Sequence, residues 1–262
     1  MILILISLVG VSSFAEEVTN NTNYDDSNIK NGTINVRYLS AGDARIKTRL
    51  QKDDKNYTYD LFGKDTFESF PTQMGNGEYT VSVFENVIDN RYRVVDKKTM
   101  TVTVENIFNI FKNSIQTVNW NPDRKTIEKA EELCKNLKTD KEKISVIYQY
   151  VIKNFSYDYE KIKGLDSSYV PNIDQIFIDK KGICYDYAAV FSSMLRSQDI
   201  SVKLIKGYTT AVPEFHAWNE VYLTAEKRWI VVDTTFDSVY VKAGYKTKLE
   251  KDAKQYTMSQ EY

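Results

Sequence analysis

The stretch KKGICYDYAAVFSSML, residues 180–195, decides how the rest of the chain is interpreted. It places a cysteine two residues after Gly182, which permits a tight turn of the backbone into a helix. Side chains then recur at the spacing of one helical face, at Cys184, Ala188, Phe191 and Leu195. Cys184 is therefore either an incidental buried residue or a nucleophile held at the positive end of a helix.

Helical patterns precede this stretch. The segment DRKTIEKAEELCKNLK has one apolar face, formed by Ile127, Ala130, Cys134 and Leu137. A capping-box pattern, Thr139 with Glu142, then opens a second predicted helix. An aromatic-rich connection of residues 154–182 leads to Cys184, and loops of that length in a compact domain tend to be functional.

Strand patterns follow residues 180–195. VKLIKGY (202–208), HAWNEVYL (216–223) and RWIVVDTTFD (228–237) are predicted strands, and the polar TAEKR suits a hairpin loop between the last two. The loop GYTTAVPEF (207–215) and the long connection are expected to form the walls of a groove. The order of elements predicts an α+β fold, in which the cysteine helix packs on an antiparallel sheet.

The N-terminal half has a different pattern. From INVRYLS to KTMTVTVEN, short runs alternate apolar and polar residues and are separated by turn formers such as KDDK and GNG. This pattern predicts a small all-β, sandwich-like domain over residues 32–105, which positions the second domain (106–262) or binds a surface.

The first residues indicate export. Residues 2–11 are apolar and are followed by Ser13-Phe14-Ala15, the small residues that a signal peptidase reads. We therefore expect residues 1–15 to be a signal peptide cleaved near Ala15, residues 16–31 to be a flexible linker, and the mature protein to be secreted or held at the cell surface. No Lys or Arg precedes the apolar run, so a buried N-terminal strand is the alternative.

Charge and cysteine content narrow the function. The net charge is −1 and the basic residues are dispersed, which argues against nucleic acid as a partner. The two cysteines of an exported chain fit a disulfide, or one catalytic and one structural thiol. Cys134 lies on the apolar face of its helix, so we interpret it as a buried structural residue.

His216, the chain's one histidine, lies downstream of the cysteine helix. If His216 lies opposite Thr235 in the predicted hairpin, Asp233 falls on the same sheet face as His216, one diagonal step away. A register slip of one residue would put Asp233 on the opposite face.

These residue types form a chemical unit. A helix N-terminus and an adjacent imidazolium both favour the thiolate of Cys184, which attacks a carbonyl. His216 can then protonate the leaving amine and later deprotonate the incoming nucleophile, while Asp233 fixes its tautomer. The backbone N–H of Cys184 is a natural oxyanion donor, and the sequence does not identify a second one.

Three motifs carry a family resemblance: GICYDYA around Cys184, HAWNEV around His216 and WIVVDTT around Asp233. In this order they resemble the transglutaminase-like superfamily over about residues 120–240. The resemblance implies a papain-like α+β domain with Cys184 as nucleophile, His216 as general base and acid, and Asp233 as its orienting partner.

Aromatic residues near these motifs are candidates for a substrate groove. Trp218 shares the strand face of His216 and either walls the groove or packs in the core, and Tyr185 follows the nucleophile in the first helical turn. Tyr157 and Tyr169, in the long connection, are weaker candidates for the cleft or for an oxyanion donor.

No cofactor is expected. The animal enzymes of the superfamily need calcium, but no acidic loop with calcium-ligand spacing is present, and one histidine with two separated cysteines cannot supply a structural zinc site. The predicted partner is a protein or peptide substrate with a glutamine or other amide donor, together with an amine acceptor, and cell-envelope material is a further candidate. No oligomeric state is predicted.

Three functions remain open. The first is an exported acyltransferase that forms a thioester on Cys184 from a glutamine amide and passes the acyl group to an amine. The second is a cysteine protease or peptide amidase with the same three residues. The third is a catalytically silent surface-binding protein, against which the intact Cys, His and Asp argue.

Overall fold

The computed structural model describes residues 21–40, 42–63 and 65–262. The predicted signal peptide, residues 1–15, lies outside the described residues. Helices and mostly antiparallel sheets make up the described chain, so the predicted α+β class is confirmed. No helix in these three ranges is both long enough and apolar enough to cross a membrane.

The strands, in chain order, are β1 (Thr22–Asp25), β2 (Thr33–Tyr38), β3 (Ile46–Lys52), β4 (Lys55–Leu61), β5 (Glu68–Pro71), β6 (Gly77–Ile88), β7 (Arg91–Val102), β8 (Ser156–Tyr157), β9 (Lys181–Gly182), β10 (Val202–Thr209), β11 (Val212–Leu223), β12 (Arg228–Val232) and β13 (Tyr256–Glu261). The α-helices are α1 (Lys125–Cys134), α2 (Asp140–Asn154), α3 (Ile173–Asp179), α4 (Cys184–Arg196) and α5 (Thr234–Lys242). Short 3-10 helices cover Ile29–Asn31, Ile107–Lys112, Lys161–Gly164 and Ala253–Gln255.

The N-terminal strands form two sheets, in the orders β1-β2-β5 and β4-β3-β6-β7. The sheets contact each other, since the rings of Tyr59 in β4 and Phe70 in β5 lie 4.9 Å apart between centroids. This arrangement agrees with the all-β character predicted for the N-terminal part. Strand β1 lies within the predicted linker, however, and pairs with β2 through Asn23 and Arg37. The four residues of β1 are polar or aromatic and show no alternating pattern, so the sequence did not predict a strand here. The strand forms through its pairing with β2.

The buried core continues across the predicted domain boundary at residue 105. Val102 and Val104 belong to the same apolar cluster as Ile110, Leu204 and Val221. The division of the chain into domains at this point therefore stays a prediction.

The C-terminal half is built on a four-stranded sheet in the order β12-β11-β10-β13. The cysteine helix α4 packs on this sheet, and every residue from Tyr185 to Arg196 is buried. At its far end, the Arg196 guanidinium donates hydrogen bonds to the carbonyl oxygens of Val202, Asn113 and Tyr262, at 2.8–3.0 Å. Arg196 thereby connects α4 to β10 and to the end of β13.

The predicted hairpin is present, and its register is the predicted one. Asn219 pairs with Val232, which is the alignment that would bring His216 opposite Thr235. The strand β12 is shorter than predicted, however, because it ends at Val232 and α5 begins at Thr234. The physical cause is Asp233, whose Oδ1 accepts a hydrogen bond from the backbone N–H of Phe236 at 3.0 Å and caps the helix.

Two predicted loops contain regular structure. Residues 212–215 extend β11 instead of forming a free loop, because Thr209 pairs with Val212 across a tight hairpin. The long connection of residues 154–182 includes α3 and a short parallel pairing of β8 with β9. The Thr139–Glu142 capping box is present as predicted, at the start of α2.

The side chain of Asn219 connects the cysteine helix α4 to the histidine strand β11. Its fully buried amide nitrogen donates to Ala188 O at 3.1 Å and to Ser192 Oγ at 2.7 Å, both in α4. A side-chain amide in this position links β11 to α4 directly. Because His216 lies on the same strand, the link also positions His216 relative to Cys184.

Replacement of this amide should destabilise the fold. We expect Asn219→Ala to lower the free energy of unfolding by about 2–3 kcal/mol, since it leaves a small cavity and an unpaired Ser192 hydroxyl in the core. Urea unfolding checks this, with the exposed Asn136→Ala as the matched control, expected to stay within about 0.5 kcal/mol of wild type. Equal stability of the two variants would contradict the role given to Asn219.

Candidate active site

Cys184 is the first residue of α4, as the sequence predicted. Its backbone N–H therefore lies at the positive end of a 13-residue helix. The thiol is free and partly exposed, whereas Cys134 is free and buried, as expected for a structural residue. Burial raises the pKa of the Cys134 thiol, which makes it the less reactive of the two.

A buried carboxylate, that of Asp186, accepts hydrogen bonds at the start of α4. Asp186 is fully buried, and its Oδ2 accepts hydrogen bonds from the backbone N–H of Ile183 at 2.9 Å and from Lys161 Nζ at 2.6 Å. Its Oδ1 accepts from the hydroxyl of Tyr169. A Cβ atom at Gly182 would lie 2.6 Å from the Asp186 Cβ, so glycine alone allows this approach. Asp186 thus connects the long connection, through Lys161 and Tyr169, to the start of the helix that carries Cys184.

His216 lies between Cys184 and Asp233. His216 Nε2 is 2.8 Å from Asp233 Oδ2, and both side chains are almost fully buried. Cys184 lines the same cavity as His216, and its side chain is one of the groups that raise the pKa of His216. Burial acts to lower the pKa of His216, but the hydrogen bonds with Asp233 and Cys184 outweigh it and raise the pKa to about 10. The imidazole is therefore held in its charged form at neutral pH.

Tyr256, in β13, is a site residue that the sequence did not indicate. Its hydroxyl donates to Asp233 Oδ2 at 3.1 Å, so this oxygen accepts from both His216 and Tyr256. Burial and the charge of Asp233 raise the pKa of Tyr256 well above its ordinary range, which keeps the hydroxyl protonated. The run YTMSQE has no apolar alternation and lies outside the three motifs, so only the folded sheet brings Tyr256 to the site.

Trp218 does not line the groove, although it lies on the predicted strand face. Its side chain is buried, with the ring 5.1 Å from that of Tyr256 and stacked at 6.4 Å from that of His216. Its ring also lies over Gly207, where an added Cβ would be 2.9 Å from it. The alternative that the sequence left open, core packing, is the observed one, because the ring of Tyr256, from the edge strand β13, packs against Trp218.

Tyr185 was also predicted at the groove, and the structure places it elsewhere. The residue is buried in the body of the protein, with Lys206 Nζ 3.6 Å from the centre of its ring. Its direction follows from the helix, which points the first turn after Cys184 into the core. The groove assignment is therefore wrong for both Tyr185 and Trp218.

A cavity of about 520 Å³ opens beside Cys184 and His216. Its walls come from the long connection, from residues 211–215 of the β10–β11 hairpin and from one side of α5. The two predicted wall segments thus contribute, and α5 adds a third, whose first residues were predicted to be part of a strand. Tyr157 is part of the lining, while Tyr169 is engaged with Asp186 instead.

The cavity lining is mostly aromatic and aliphatic, with rings from Tyr157, Tyr159, Phe215, Phe236 and Tyr240. Such a lining offers apolar contacts to a molecule bound beside the sulfur. Within residues 21–40, 42–63 and 65–262, no group of three or more His, Cys, Asp or Glu side chains is arranged to hold a metal ion.

Parts of this chain are similar in sequence or structure to known proteins. A 62-residue segment is 32% identical to a peptide-N(4)-(N-acetyl-beta-glucosaminyl)asparagine amidase of Drosophila melanogaster, covering 24% of this chain and 9% of that protein. A structure from Cytophaga hutchinsonii, provisionally described as a cysteine protease, is similar with a TM-score of 0.42 and 15% identity over 78% of this chain and 74% of that one. Red sea bream transglutaminase is similar with a TM-score of 0.26 and 13% identity over 77% and 47% of the two chains. The chain thus spans less than a tenth of the length of this curated relative.

The family comparison covers the site itself. Residues 127–234 match the sequence model of the transglutaminase-like superfamily, a range that begins in α1 and ends at the start of α5. Cys184, His216 and Asp233 lie within it, whereas the N-terminal sheets and Tyr256 lie outside. Residues 127–234, which include these three residues, therefore carry the sequence pattern of the transglutaminase-like superfamily.

Proposed function

We propose that this protein is a cysteine-dependent acyltransferase that takes the acyl group of a glutamine side-chain amide and passes it to a primary amine. The observation that carries the proposal is the position of His216, which is hydrogen-bonded to Asp233 at 2.8 Å and lines the same apolar cavity as Cys184. Membership of a superfamily whose members are generally thiol enzymes supports the thiol chemistry.

The proposed reaction has two steps. In the first, Cys184 Sγ attacks the amide carbon, the C–N bond breaks, and His216 donates a proton to the leaving ammonia. In the second, the amine attacks the thioester carbon, His216 accepts its proton, and Cys184 leaves as the thiolate. The sum is exchange of ammonia for the amine, with no oxidant or reductant.

The surroundings of the two reacting groups suit these steps. Asp233 orients His216 and stabilises the imidazolium, and Tyr256 holds Asp233 in place. The backbone N–H of Cys184 is the proposed first oxyanion donor. For the second we propose the hydroxyl of Tyr157, because burial and the nearby Cys184 raise the pKa of Tyr157 to about 12 and keep it protonated.

A second candidate function is amide hydrolysis, with water in place of the amine. The specific observation in its favour is the 62-residue segment that is 32% identical to a peptide-N(4)-(N-acetyl-beta-glucosaminyl)asparagine amidase. The apolar lining of the cavity favours transfer, since a thioester survives to meet an amine only where water is scarce. Both reactions act on protein or peptide amides, and we propose, from the apolar run at residues 2–11, that they take place outside the cell membrane.

Mass spectrometry with a glutamine-containing peptide and a primary amine tests the proposal. We expect an amine adduct on glutamine with wild-type protein and none with Cys184→Ala, because the thioester cannot form. Cys134→Ala is the matched control, and it should retain activity because Cys134 is buried in the core. Cleavage or deamidation that depends on Cys184, without an adduct, would replace transfer with hydrolysis. No product of either kind would contradict both.

The charged state of His216 gives a second prediction. In an NMR titration, whose histidine signal is unambiguous because the chain has one histidine, the pKa should lie near 10 and should fall in Asp233→Asn. Tyr256→Phe frees a lone pair of Asp233 for His216, so this variant should leave the pKa of His216 raised. A wild-type pKa near the ordinary 6.5 would contradict the ion pair.

The same shift predicts a pH dependence of stability. Because the pKa of His216 is raised in the folded protein, its stabilisation is fully present below pH 6.5 and is lost as the pH rises through about 10. The difference in unfolding free energy between wild type and Asp233→Asn should therefore be largest below pH 6.5 and shrink toward pH 10, as measured by urea unfolding. The substituted asparagine keeps a side-chain oxygen that can cap α5, so loss of the helix cap does not account for this difference in unfolding free energy.

A further inference from the structure

The lining of the cavity contains one unpaired charge. Glu214 is the single carboxylate among the described residues that line the cavity, and it lies two residues before His216. Its neighbours in the lining are aromatic or aliphatic, including Val212 and Phe215 on the same hairpin.

Glu214 also differs from the other carboxylates near the site. Asp186 is bonded to Lys161, and Asp233 is bonded to His216 and Tyr256. Within the part of the chain that the structure describes, Glu214 is exposed and makes no hydrogen bond or ion pair. Its charge is therefore available to a bound molecule.

The charge of Glu214 acts on the cavity. The pKa of Tyr157 is raised first by burial and then by the charges of Cys184, Glu214 and other groups. Tyr157 lines the cavity as well, so the carboxylate and the sulfur both lie within electrostatic reach of one ring. A group bound beside Cys184 lies within the field of Glu214.

We propose that Glu214 determines specificity by binding a cationic group, a primary ammonium or a guanidinium, on a substrate whose reacting atom meets Cys184. A carboxylate attracts such a cation, and the rings of Tyr157, Tyr159 and Tyr240 offer faces to which cations also bind. The substrate is accordingly an apolar molecule or peptide segment with a positive charge near the reacting group. This inference rests on the proposed function in taking Cys184 as the reacting atom.

The cation has two possible sources. It belongs either to the amine acceptor, as the distant ammonium of a diamine, or to the acyl donor, as a lysine or arginine beside the reacting glutamine. The chemistry of recognition is the same in both cases, and the experiment separates them.

The first test needs no turnover. The rate of Cys184 modification is measured by peptide mass spectrometry with three methanethiosulfonates that share one reactive group: 2-aminoethyl (cationic), methyl (neutral) and 2-sulfonatoethyl (anionic). We expect Glu214→Gln to lower the cationic-to-neutral rate ratio roughly fivefold, as removal of one nearby unit charge does, and Glu214→Lys to lower it further. The exposed, unpaired Glu131→Gln is the matched control and should leave the ratio unchanged. An unchanged ratio in Glu214→Gln would overturn the proposal, whether or not the protein is an enzyme.

The second test identifies the source of the cation. KM is compared between 1,5-diaminopentane and pentylamine as acceptors, and between donor peptides with lysine or norleucine beside the glutamine. Glu214→Gln should raise KM by about fivefold for the member of one pair that carries the additional positive charge, and leave kcat and the KM of the other member unchanged. Turnover with no change in either pair would overturn the assignment of Glu214. If no substrate turns over, the proposed function fails, and the reagent ratios alone decide whether Glu214 selects cations.

Discussion

The carboxylate of Asp233 joins the elements on which the site depends. One oxygen caps α5, and the other accepts hydrogen bonds from His216 of β11 and Tyr256 of β13. An ionised carboxylate without exposure is costly unless donors surround it, and here each donor comes from a different element. Asp233 therefore lies where β12 ends and α5 begins, and the same residue orients His216. A change in any of these elements is transmitted to the imidazole.

The sequence predicted those parts of the site that local pattern controls. The start of α4 at Cys184 follows from a glycine and an apolar helical face, and the position of Asp233 relative to His216 follows from the hairpin register. The α+β order of elements followed in the same way. Each of these depends on residues close in sequence, where spacing has a direct geometric meaning.

Other parts could not be predicted because they depend on contacts between distant segments. Alternation placed Trp218 on the face of His216 but could not reveal that the ring of Tyr256, from β13, packs against Trp218 there. Tyr256 reaches Asp233 only because β13 pairs with β10, a strand far from it in sequence. The cap at Asp233 turned a predicted strand into a helix, since the hydrogen bond to Phe236 N competes with continued pairing.

Because β13 pairs with β10, the candidate site is completed only after β13 has been synthesised. Synthesis runs from the N-terminus, so Cys184, His216 and Asp233 are all made before Tyr256. Until β13 adds to the edge of the sheet, Asp233 lacks one donor and Trp218 lacks the ring that covers it. A nascent chain that already contains the three reacting residues thus has an incompletely formed site. The thiol reaches its final surroundings only when the last strand is in place.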